Sequence, residues 1–85
     1  MNTTDVPPAV KFRLKKVWYY SGAAQGKLED AQVYIGALFE TAKAANIKNL
    51  EEVEKLLKEA HQHISEAKRL LKIAVEKIEK ELTGG

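Results

Sequence analysis

"SGAAQG" spans residues 21–26, and the fold turns on whether this small-residue patch breaks a helix or lets a second chain come close to an unbroken one. Glycine costs roughly 1 kcal/mol in a helix interior, so two of them in six residues argue for a break. The spacing around the patch argues against it. Val10, Leu14, Val17, Ser21, Ala24, Leu28, Ala31, Ile35, Leu38, Ala42 and Ala45 recur at alternating steps of four and three, and the phase passes through the patch without a slip. A loop would usually shift that register. The pattern predicts one continuous helix over about 8–46; the alternative is a three-helix bundle with a bend near 22–26.

The second half repeats the rule. Leu50, Val53, Leu57, Ala60, Ile64, Ala67, Leu71, Ala74 and Ile78 form the apolar seam of a helix over about 49–82, with Asn49 and Glu52 spaced as a capping box. Between the two helices, "NIKN" at 46–49 is a short turn that forces them antiparallel. Folding there pairs positions whose numbers add to 95, so that Ile35 meets Ala60, Ala31 meets Ile64, Leu28 meets Ala67 and Ala24 meets Leu71. Large residues face small ones, as interdigitating layers require. The expected fold is all-α: an antiparallel hairpin of two long helices with a coiled-coil-like seam, in a single domain over 1–85.

At the ends, residues 1–6 read as a disordered lead-in. Pro7 and Pro8 suit a helix start with Thr4 or Asp5 as cap, and 83–85 ("TGG") read as a frayed tail.

One seam is a thin core. A chain of 85 residues buries little of its own surface, and the absence of cysteine excludes disulfide staples and thiolate metal sites. Partner chains are the remaining way to cover it. The outer side of the second helix is mostly charged, with Lys55, Lys58, Glu59, Gln62, Glu66, Arg69, Lys72, Glu76 and Lys80 and Ile73 as the main apolar exception, so it reads as solvated. The outer side of the first is not: Phe12, Tyr19, Gly22, Ala23, Gly26, Val33, Gly36 and Ala37 lie there, flanked by Trp18, Tyr20, Tyr34 and Phe39. A helix that is apolar or small all round is normally covered on all sides. Gly22 and Gly26, four apart, remove the side chains that would hold a neighbouring backbone away. These positions are the expected homo-oligomer interface, leading to a helical bundle or a larger assembly.

The net charge of +2 is small but uneven, because Lys11, Arg13, Lys15 and Lys16 form a block with no acid inside it. Cations mixed with Phe12, Trp18, Tyr19 and Tyr20 could grip phosphates and stack on bases, so DNA or RNA is a candidate partner of this basic collar. Other features carry less. His61 and His63 stand roughly 200° apart on a helix and cannot chelate one ion together. Glu51, Glu52 and Glu54 match the positive end of the second helix dipole, and Glu29 and Asp30 suit ion pairs.

No catalytic motif, cofactor signature or metal-ligand spacing stands out, so the expected role is non-enzymatic. No apolar run approaches the roughly 20 residues that span a bilayer, and the N-terminus lacks a signal peptide's charged start and apolar core. A cytoplasmic or virion-borne protein without membrane contact is expected, and the Lys/Glu-rich, cysteine-free usage with one methionine suits a thermophile. The sequence therefore points to a self-assembling structural subunit of coat or nucleoid type. Its rival is a small homodimeric four-helix-bundle adaptor or regulator that binds a protein partner.

Overall fold

The computed structural model describes residues 6–84. Two helices make up the fold: α1, Pro8–Ala44, and α2, Leu50–Thr83, packed against each other along their length. Helix α1 runs unbroken through 21–26, so the bend near those residues and the three-helix bundle are set aside. The phase of the apolar residues outweighed the helix cost of the glycines.

Each helix end has a local cause. Pro7 precedes the first turn with φ −56° and ψ 148°, Pro8 opens it, and the Lys11 amide donates to the Pro7 carbonyl at 3.0 Å. A first-turn proline gives up no helical bond, because its position needs no donor. Thr4 and Asp5, the expected caps, lie outside the described residues, as do the other members of the lead-in except Val6. Val6 itself is buried, with 5% of its surface exposed, and belongs to the core.

Helix α1 stops at residue 44, two short of the expected end, because Asn46 takes a left-handed φ of 51° that asparagine tolerates better than most residues. The Ala45 amide then donates to Thr41 O and the Asn46 amide to Lys43 O. The capping box expected at the start of α2 does not form: Asn49 precedes the helix but its side chain makes no cap hydrogen bond. At the far end Thr83 is helical, its hydroxyl donating to Glu79 O at 2.9 Å, and Gly84 closes the helix at φ 72°. The helix thus reaches one residue beyond its expected end, and Gly85 lies outside the described residues.

This difference between the two asparagines is testable. Asn46→Val should destabilise by about 1–2 kcal/mol, the cost of a left-handed residue with a branched Cβ. Asn49→Ala should cost only a few tenths, since no side-chain cap is lost. Urea midpoints of the two variants should differ accordingly.

The seam departs from the strict heptad. Of the expected positions, Leu38, Ala74 and Ile78 are exposed, with Phe39, Val75 and Glu79 half-buried in their place; Ala45, beyond the end of α1, is exposed too, and Leu82 extends the seam of α2. A helix of 3.6 residues per turn drifts by about 20° per heptad against a 3.5-residue repeat, so after several turns the contact line moves on by one residue. In α2 the half-buried positions recur at elevens: Val53, Ile64 and Val75; Leu57, Lys68 and Glu79; Ala60, Leu71 and Leu82. That repeat, about 3.67 residues per turn, drifts in the opposite sense to a heptad's and favours a right-handed wind over the heptad's left-handed one.

The core is as thin as expected. Among the described residues only Val6 and Leu14 are buried, and none of α2 is. The chain measures 61 × 16 × 14 Å with a radius of gyration of 18.9 Å. A compact domain of this length would have a radius near ~12 Å.

Helix α2 is sharply two-sided, and its outer face is laced by short-range pairs such as Lys58 with Glu54 and His63 with Glu59. Arg69 Nε donates to Glu66 at 3.0 Å, and these hydrogen bonds hold the Glu66 carboxyl below the usual carboxylate range. A lowered value means the pair is fully formed above the ordinary carboxylate range and is lost as pH falls through the lowered one. Both side chains are more than half exposed, which keeps the effect on stability small. An NMR titration of the Glu66 carboxyl should move upward in Arg69→Gln.

Candidate functional site

Two features distinguish the surface: the outer face of α1 and the end of the rod where α1 begins. On the outer face, Phe12, Tyr19, Val33 and Tyr34 are strongly exposed, Tyr19 by 72% and Val33 and Tyr34 by 69% each. Their rings and methyls point away from α2, and the Tyr19 and Tyr20 rings meet edge to face with centroids 5.4 Å apart. A Cβ added at Gly22, Gly26 or Gly36 would meet nothing within 4 Å. The glycines therefore do not serve the contact with α2. They leave open backbone on a helix already studded with exposed apolar groups, among which Asp30 is the one acid on the outermost line.

Two residues expected at this interface also make contacts within the hairpin, although Trp18 keeps 49% of its surface exposed. Phe39 is half-buried in the seam, beside a hollow of ≈ 240 Å³ lined by Ile35, Gly36, Leu57 and His61. The Trp18 indole Nε1 donates to Glu79 Oε2 at 2.9 Å, tying the first turns of α1 to the last of α2.

Further ties lie on the same side of the rod as that bond. Gln32 Nε2 donates to Ser65 Oγ at 2.9 Å and to the His61 carbonyl at 3.4 Å, while Lys68 Nζ donates to Gln32 Oε1 at 3.2 Å and lies 3.7 Å from Glu29. Trp18 with Glu79, Gln32 with Ser65, and Glu29 with Lys68 join positions whose numbers add to 97, two beyond the register expected for the seam. Sequence reading found none of these polar ties, since Gln32 and Ser65 lie 33 positions apart and belong to no local motif.

The structure divides the four basic residues. Lys11 and Lys15 stand together at an apolar hollow of ≈ 260 Å³ floored by Val6, Leu14 and Trp18. Lys16 lies over the Phe12 ring at 4.9 Å and keeps its charge there. Arg13 is exposed on the other side of the helix. The neighbouring turns of α2 are charge-balanced, with Lys72, Lys77 and Lys80 against Glu76, Glu79 and Glu81, so the positive excess at this end comes from α1.

No family model, curated protein or solved structure matches this chain. Its geometry is the basis for a functional reading. Among the described residues no three His, Asp or Glu side chains gather as a metal site, and no helix is long and apolar enough to cross a membrane. Leu56 and Leu70, both more than half exposed, escaped the sequence reading of α2 as a solvated helix. Their spacing of fourteen, two heptads, was the signal, since it sets both on one edge of the helix beside the seam.

Proposed function

We propose that this hairpin is a non-enzymatic structural subunit that self-assembles through the outer face of α1. The observation that carries the reading is the combination of strongly exposed Tyr19, Val33 and Tyr34 with open backbone at Gly22 and Gly26 on one helix. Burying a large apolar side chain contributes about 1.5–3 kcal/mol, and a thin hairpin has few of its own to bury. Glycine admits a neighbouring backbone closely, so that the aromatics around it pack against a second copy instead of water.

In its sharper form the subunit is of coat or nucleoid type and meets nucleic acid at the basic end. Lys11 and Lys15 beside Trp18, with Arg13 across the helix, offer phosphate contacts and an aromatic face for a base. Sedimentation and negative-stain imaging, with and without DNA or RNA, test both parts. Particles larger than a dimer are expected from the protein alone. Nucleic-acid affinity should fall with added salt, by a log–log slope of about −0.9 for each phosphate neutralised on a duplex. A stable dimer at high concentration would end the extended assembly and leave the adaptor reading. Affinity indifferent to ionic strength, or no binding at low salt, would end the nucleic-acid part.

A further inference from the structure

The two flanks of the seam are unlike. On a helical projection Trp18, Glu29 and Gln32 of α1 lie on the side that meets Glu79, Lys68 and Ser65 of α2, so the cross-helix polar ties among the described residues occupy one flank. The opposite flank has none of them. It presents Tyr20 and Leu38 from α1 and Leu56, Leu70 and Ile78 from α2, each between 44 and 64% exposed. Alanines 24, 31 and 74 lie among them and leave room between the larger groups. Exposed leucine and isoleucine in a row along both helices is the pattern of a half-built core.

The edges of this flank identify what covers it. Its α1 edge carries the cations Arg13 and Lys27, whereas its α2 edge carries Glu52, Glu59 and Glu81, which outnumber Lys77; His63 shares that edge, 3.8 Å from Glu59. A surface with one basic and one acidic edge is complementary to itself when turned by half a revolution about the rod direction. That rotation lays the α1 of each copy on the α2 of the other. Arg13 comes within about one turn of the level of the second copy's Glu81, Leu38 of its Leu56, and Tyr20 of its Ala74. The face is also large enough: a rod 61 Å long and 16 Å across offers a footprint on the order of the ~800 Å² per partner of a standard stable interface.

We propose that this open flank is a two-fold dimer interface, on which a second copy of the chain docks to close an antiparallel four-helix bundle. It shares with the assembly reading only the premise of self-association, because it uses a different side of α1. The outer faces of the two α1 helices then point in opposite directions from one bundle. Contacts through them join bundles into rows, which is growth without closure.

The absence of cysteine makes the test clean. Leu38→Cys chains and Leu56→Cys chains, both altered at exposed sites, are mixed in equal amounts and treated with a short bismaleimide. The mixed 38–56 product is expected in large excess over either like-with-like product. A dominant 38–38 product would overturn the proposed symmetry. Particles that persist by light scattering while no cross-link forms would overturn the flank interface and leave the outer-face assembly standing. Efficient 38–56 cross-linking in a dimer that never grows would do the reverse. A chain that stays monomeric at high concentration would remove both.

Discussion

Leu14→Ala is expected to cost the hairpin about 2–5 kcal/mol, the range for truncating a buried leucine. Leu14 is the one buried residue of α1, with 4% of its surface exposed. It is held between the seam and Val6, next to the hollow that Trp18 also lines. Small single domains have a total stability of only about 0.05–0.15 kcal/mol per residue, so one such loss removes a large share. The Trp18–Glu79 hydrogen bond ties the same end of the rod together and should loosen with it. Urea unfolding followed by circular dichroism, at one fixed protein concentration because self-association adds to apparent stability, reads the effect. Ile73→Ala, on the outer side of α2, serves as the control and should cost well under half as much. Equal losses would show that no true core exists at the end where α1 begins.

Gly26→Leu should separate helix formation from assembly. Leucine is the better helix former by close to 1 kcal/mol, and nothing in the chain lies within 4 Å of a Cβ at this position. Helicity and urea midpoint of the isolated hairpin should therefore hold or rise. Association through the outer face should fall, because filling a close backbone contact costs about 1–3 kcal/mol, or roughly 5- to 150-fold in the association constant. Gly22→Ala provides the milder case, with the same gain in helix stability and a smaller loss of association. Sedimentation against concentration gives both constants. A Gly26→Leu chain that assembles as well as the parent would remove that glycine from any interface, whatever its helicity.

The hairpin was legible because its signal is repeated many times. Eleven apolar or small positions in the first half and nine in the second share one phase, and no single glycine outweighs that. The turn was legible to within two residues, its limit set by the left-handed conformation of Asn46. The heptad reading failed where small phase errors add up: Leu38 and Ile78 lie several turns from the first counted position of their helices, and there Phe39 and Glu79 have replaced them in the seam.

The exposed apolar groups of α1 were legible in the sequence, but the turn of Phe39 into the seam and the bond from Trp18 to Glu79 were not. The sidedness of the seam was not legible. It depends on Gln32 reaching Ser65 and Lys68, a contact that exists only once the register of the two helices is fixed. The capping box at Asn49 shows the converse, since a local motif was present in the sequence while Asn49 itself, at φ −103° and ψ 47°, departs from the extended backbone of a capping residue.

The eleven-residue spacing of half-buried positions in α2 has a consequence for any helix laid along it. A seven-residue repeat winds helices left-handedly and an eleven-residue one right-handedly. A helix patterned in sevens would therefore track this seam for only a few turns before sliding off it, whereas one patterned in elevens could follow it from end to end.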